Sequence, residues 1–157
     1  MKILNKYKVL VLIALVLGMV MQFFAKPYKI SGDCMEPAIR DGKLYFLNRT
    51  LPFFRPYRIG DIVFFDRDGH TWISRIVALE GHTIQIQDHK IFVNGTDLTD
   101  GIQRNWSDWK YGTYAVAQLF QVPIRHVYML SDNLSAHHDD SRVFGAIATN
   151  SIIGVVW

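Results

Sequence analysis

Hydrophobic and polar positions divide the chain into two unequal parts. Residues 9–25 read Val-Leu-Val-Leu-Ile-Ala-Leu-Val-Leu-Gly-Met-Val-Met-Gln-Phe-Phe-Ala, without a single charge. That is the pattern of a membrane helix: at about 1.5 Å per residue the run extends roughly 25 Å, slightly short of a hydrocarbon layer of about 30 Å. Lys8 and Lys26 can cover the deficit by reaching to water. Beyond Lys26 the sequence turns to short apolar runs with period-two alternation, broken by Gly, Asn, Asp and Pro, which is β texture. The alternation predicts strands over 43–48, 61–65, 71–79, 83–87, 90–93, 125–130 and 146–156. Residues 87–90 read as a hairpin turn, and Asn94-Gly95 as another. A short helix is expected at 114–121, and residues 100–112, with Trp106, Trp109 and Tyr111, read as an irregular excursion. No internal repeat or low-complexity tract interrupts this order.

The pattern sets the organisation: a cytoplasmic N-terminus over 1–8, a transmembrane anchor over 9–25 and an extracytoplasmic β domain over 26–157. A cleaved signal peptide would share the basic start and apolar run, but Phe23, Phe24, Lys26 and Pro27 stand where processing requires small residues. Lys2, Lys6 and Lys8 keep the N-terminus inside and send the bulk of the chain outside. With 157 residues and 50% hydrophobic content, there is enough chain for one core. The net charge of +3, spread along the sequence, argues weakly for an anionic membrane surface and gives no support to a nucleic-acid partner. The single cysteine excludes an internal disulfide and any Cys-based zinc site. No metal or cofactor is expected.

Candidate chemistry concentrates in Ile30-Ser31-Gly32-Asp33-Cys34-Met35-Glu36-Pro37, which sets the cysteine between a flexible Gly and a rigid Pro. Such a loop can present a nucleophile near free backbone N–H groups; a small buried thiol in a Gly/Pro turn is the plainer reading. Met35 is expected to line a groove or touch lipid. Residues 50–58, Thr-Leu-Pro-Phe-Phe-Arg-Pro-Tyr-Arg, read either as a segment resting on lipid headgroups or as a loop whose aromatics fold back onto the core.

The loop resembles the nucleophile box of type I signal peptidases, Ser-Gly-x-Ser-Met-x-Pro-Thr, with Cys34 at the serine position and Ala38 at the threonine. Further segments follow in the family's order. Gly60-Asp61-Ile62-Val63-Phe64-Phe65 resembles Gly-Asp-Ile-Val-x-Phe. Ser74-Arg75-Ile76-Val77-Ala78-Leu79-Glu80-Gly81-His82 resembles Lys-Arg-Val-Val-Gly-Leu-Pro-Gly-Asp. Phe92-Val93-Asn94-Gly95 keeps the family spacing. Ser131-Asp132-Asn133 and Asp140-Ser141-Arg142-Val143-Phe144-Gly145 resemble Gly-Asp-Asn and Asp-Ser-Arg-x-Phe-Gly. The resemblance covers essentially the whole chain. It implies a mostly β fold behind a single N-terminal transmembrane helix, a groove at the outer membrane surface, and a Ser/Lys dyad that cleaves signal peptides after small residues. Gly32 and the Cys34 N–H are the implied oxyanion donors, Asp140 and Arg142 an ion pair holding the loop of Ser141, and Asp132 and Asn133 turn residues.

The departures bear on activity. Ser74 occupies the position of the family's lysine, and a serine hydroxyl cannot act as general base near neutral pH. A thiol needs less help than a hydroxyl, since a few per cent is thiolate at neutral pH. His138 stands two residues before Asp140, where the family has a serine beside the lysine, and with Asp139 or Asp140 it would give Cys34 a triad-like base. His70 is about 13 Å along the strand from Ser74, too far to serve. The segment before Asp140 is one residue longer than usual, leaving His137 and His138 to be told apart; both also read as solvated loop residues. The preferred reading is a dyad-altered, non-catalytic homologue that assists exported precursor proteins or pilins, in the manner of the pilus-assembly proteins that resemble signal peptidases. The alternative is an active peptidase with Cys34 as nucleophile and His138 as base. A membrane-tethered β domain unrelated to secretion is the third reading.

Overall fold

The computed structural model describes residues 2–99, 110–116, 118–133 and 138–156, the side chains at 2–5 and 20–26 excepted. Helix α1 (Lys2–Phe24) continues without a spacer into β1 (Ala25–Lys29). Its described apolar side chains stand exposed: Leu12 and Leu15 are each 62% accessible. Among the described residues no helix is long and apolar enough to cross a membrane.

Chain order then gives β2 (Leu44–Asn48), α2 (Leu51–Phe54), β3 (Ile62–Arg67), β4 (His70–Ala78), β5 (Thr83–Gln87), β6 (Lys90–Val93), β7 (Thr96–Asp97) and β8 (Phe120–Gln121). It ends with β9 (His126–Leu130), α3 (Ser141–Phe144), β10 (Ile147–Ala148), a 3-10 turn (Thr149–Ser151) and β11 (Ile152–Val156). Two antiparallel sheets result, one ordered β1-β2-β11-β3-β4-β9-β10 and the other β7-β6-β5-β8. The fold is mostly β, as the alternation predicts.

Register follows burial. On β4, paired with β3, Trp72 and Ile76 pack with Val63 and Phe65 against β9 and β11, while Ile73 and Phe64 pack on the other face with Met35 and Leu47. A third cluster joins the far end of β4 and β9 to the smaller sheet through Val77, Ile84, Ile86, Ile91 and Tyr128. Moving either strand by one residue would invert these faces, so the apolar pattern specifies the pairing. The turns at 88–89 and 94–95 have positive φ at both central residues, the handedness that suits a two-residue hairpin.

Differences from the sequence reading are local. Residues 114–116 and 118–121 contain no helix; Val116 makes an isolated bridge to Ile86 and β8 joins the smaller sheet, so strand-edge hydrogen bonding overrides helical propensity there. The stretch 146–156 is two strands split by the 3-10 turn. β1 begins at Ala25, within the stretch assigned to the anchor. The excursion at 100–112, with Trp106 and Trp109, lies mostly outside the described residues.

Candidate active site

The loop from Ile30 to Lys43 is closed at its base by Ile30 N–H to Lys43 O (2.9 Å) and Gly42 N–H to Ile30 O (3.0 Å). Within it, Glu36 N–H donates to Asp33 O and Ile39 N–H to Met35 O, forming a compact turn. Met35 and Ile39, 1% and 3% exposed, pin that turn into the core beside Leu47 and Phe64. Met35 is therefore a core anchor, not a groove or lipid residue as expected: the turn points it inward while half-buried Cys34 stays at the edge of the same cluster. Gly32 has φ +112°, a conformation that side chains rarely adopt, and the imidazole of His138 lies 4.0 Å from where its Cβ would be.

Two consecutive residues after β9 hold this loop to β4. Asp132 accepts a bidentate pair from Arg75, with Nε at 2.7 Å, and Arg75 also donates to Gly60 O at 3.0 Å. Asn133 donates its N–H to Cys34 O (2.8 Å) and its side-chain amide to Asp33 O (3.3 Å). The sequence reading quoted Arg75 within a motif and gave it no role; the structure makes it a support of the segment that holds the Cys34 loop. The signal for Arg75 was a charge directly before the apolar run Ile76-Val77-Ala78, in a strand whose burial requires it to have a partner.

Behind Asp132 and Asn133, the box at 140–142 forms a second support. The Asp140 carboxylate caps α3 by accepting from Arg142 N–H, pairs with the Arg142 guanidinium at 2.9 and 3.0 Å, and accepts Ser131 N–H at 3.1 Å. Ser141 Oγ accepts Met129 N–H at 2.9 Å. The guanidinium also lies 5.5 Å from the Tyr111 ring centre, and Tyr111 donates its hydroxyl to Asp139.

The predicted chemical residues fall as follows. Ser74, 2% exposed, donates its hydroxyl to Ile73 O at 2.8 Å and shares strand parity with Trp72 and Ile76. His138 Nε2 lies 3.1 Å from Asp33 Oδ1. His137 lies outside the described residues. Gly32 N–H donates to Asp41 Oδ1 at 2.9 Å, so the first of the two implied oxyanion donors is already engaged. The Cys34 sulfur makes no hydrogen bond to Ser74 or His138, whose polar atoms bond to Ile73 O and Asp33; the Cys34 N–H lies within hydrogen-bonding reach of its own sulfur. Burial pushes the Cys34 thiol up to about 11, with the charges of Asp33, Asp132 and Asp140 adding to the effect. The His138 hydrogen bond, by contrast, lowers the pKa of Asp33.

Because the folded thiol holds its proton above its ordinary 9.0, the stabilisation it contributes is complete below pH 9.0 and is lost as pH rises through about 11. Alkylation of Cys34 by a thiolate-selective reagent should follow the same ionisation. The second-order rate is expected to climb toward pH 11, and a midpoint below 9 would contradict the site geometry.

The loop of Cys34 is thus held by Asn133 to the segment that the Asp132–Arg75 pair fixes against β4, between β3 and β9 in the larger sheet. The family model described as "Signal peptidase, peptidase S26" matches residues 3–157, and the chain belongs to that family. Signal peptidase I of Bacillus amyloliquefaciens is 26% identical over 149 residues, covering 92% of this chain and 80% of the relative. A probable signal peptidase I-1 of Synechocystis is 28% identical over 156 residues, covering 92% and 76%. The crystal structure of a signal peptidase I from Enterococcus faecalis superposes with a TM-score of 0.50 at 26% identity, covering 66% of this chain and 98% of that one.

Proposed function

We propose that this chain is a membrane-anchored signal peptidase homologue that binds exported precursor proteins, pilins among them, and assists their handling without cutting them. The observation that carries the reading is the isolation of Cys34: among the described residues its sulfur has no hydrogen-bonded base, and its thiol is pushed up to about 11. Ser74 offers no substitute, since its hydroxyl is spent on Ile73 O. A protonated thiol without a proton acceptor is a poor nucleophile at neutral pH. The Asp132, Asn133, Asp140, Ser141 and Arg142 supports keep the loop in shape, which a binding role needs as much as a catalytic one.

Anchoring rests on the uncharged run at 9–25 and on the exposed apolar side chains of α1, which hydrocarbon would cover. The basic flank then leaves the N-terminus in the cytoplasm and the β domain outside. One observation favours the second reading, an active peptidase: Asp33 and His138 form an acid–imidazole pair on the rim of the Cys34 loop.

Incubating the full chain in lipid with a signal-peptide-bearing precursor distinguishes the two. The expected result is crosslinking of precursor to the loop with no cleaved product, unchanged in Cys34→Ala. Cleavage that disappears in both Cys34→Ala and His138→Ala would replace the binding role with the catalytic one.

A further inference from the structure

The face of the larger sheet turned away from Cys34 holds a cavity of about 380 Å³, within the roughly 300–1,000 Å³ of small-molecule sites. Tyr57, Leu79 and Val127 form its apolar wall and belong to the core around Val63 and Ile76, opposite the cluster of Met35 and Phe64. Glu80, His82 and His126 supply its polar groups. Glu80 and His82 stand where the signal peptidase motif has proline and aspartate, so two departures from that motif meet at one cavity.

The walls are stitched together through the backbone of Arg125. Its N–H donates to Glu80 Oε2 at 2.7 Å, and its carbonyl accepts the N–H and the hydroxyl of Thr149, which also lines the cavity, at 2.8 and 3.1 Å. Arg125 has φ +59°, a left-handed conformation uncommon outside glycine, and these bonds hold it there.

Both imidazoles commit Nδ1 to the backbone, in opposite senses. His126 Nδ1 lies 2.8 Å from Ile124 O, which can only accept, so Nδ1 carries the proton and Nε2 of the neutral ring is an acceptor. Leu79 N–H reaches His82 Nδ1 at 3.5 Å, so there Nδ1 accepts and Nε2–H is the donor. Neither Nε2 has a partner among the described residues. One donor and one acceptor beside an apolar wall complement the C=O and N–H of an amide, while the Glu80 carboxylate disfavours an anion.

We propose that this cavity binds an uncharged amide bearing an apolar group, its carbonyl on His82 Nε2–H, its N–H on His126 Nε2 and its apolar group on Tyr57, Leu79 and Val127. The site goes beyond the client-binding reading and stands whether or not Cys34 cuts.

Long-range proton–nitrogen spectra of the full chain in lipid discs, labelled at histidine, report the tautomers directly, with His82→Phe and His126→Phe assigning the signals. Nδ1–H at His126 and Nε2–H at His82 are expected; the same tautomer at both overturns the proposal. Titration with N-benzylacetamide should shift both rings saturably, and each Phe variant should weaken binding about three- to tenfold, the worth of one hydrogen bond. Benzyl acetate, with oxygen in place of the N–H, should bind the wild type as weakly as the amide binds His126→Phe and lose nothing further in that variant. The ester comparison in the wild type needs no variant to fold. Equal binding of amide and ester, or of amide and phenylacetate, overturns the amide assignment. Zinc ions that shift both rings where N-benzylacetamide shifts neither reassign the cavity to a metal. A capped neutral tripeptide, acetyl-Ala-Phe-Ala-amide, identifies the source: competition tighter than N-benzylacetamide assigns the site to a polypeptide segment, and weaker competition to a free small amide.

Discussion

Arg142→Ala is expected to lower the unfolding free energy of the β domain by about 3–5 kcal/mol, the cost of leaving one member of a buried ion pair without its counter-charge. Both side chains of the Asp140–Arg142 pair are 0% exposed. Removing the guanidinium leaves the Asp140 carboxylate, among the described residues, with the N–H groups of Ser131 and Arg142 as its remaining hydrogen-bond donors. Urea denaturation followed by near-ultraviolet circular dichroism would measure the loss. The comparison is Lys90→Ala, whose ion pair with Asp97 is solvent-exposed on both sides and whose loss should change little. Equal losses in the two variants would mean that the 140–142 box does not brace the domain.

Gly112→Ala is the second large effect. A Cβ at this position would lie 2.5 Å from the carbonyl carbon and oxygen of Arg142, backbone atoms that cannot swing aside, and φ is +91°. The same carbonyl accepts the N–H groups of Thr113 (2.7 Å) and Tyr114 (2.9 Å), so the two segments cannot separate without losing both bonds. Overpacking and left-handed strain together should cost about 3 kcal/mol or more. Gly69→Ala isolates the strain alone: φ is +77° with nothing within 4 Å, and about 1 kcal/mol is expected. A similar midpoint for the two alanine variants would rule out the clash as the cause.

The strands were legible wherever alternation extended over several residues, as in β4 to β6, because one buried face fixes a period of two. The Cys34 loop was legible for a different reason: Gly32 and Pro37 punctuate it chemically. β1 was not, since Ala-Lys-Pro-Tyr-Lys has no alternating signal and becomes a strand only by pairing with β2. The two-residue strands β7 and β8 likewise exist through register with their neighbours. Arg75 and Asp132 are 57 residues apart, and local sequence says that each needs a partner without saying which. Met35 misled because an apolar residue beside a nucleophile reads as groove lining, and only the i to i+4 turn that buries it with Ile39 shows otherwise.

The direct passage of α1 into β1 has a mechanical consequence. With no slack between helix and sheet, and with the loop of Cys34 starting as soon as β1 ends at Lys29, five strand residues at about 3.3 Å each hold that loop no more than roughly 17 Å from the helix terminus. Under the anchoring and client binding proposed above, this joint would set one stand-off distance for any polypeptide that engages the loop, and inserting residues between Phe24 and Ala25 would lengthen it while leaving the described contacts of the loop in place.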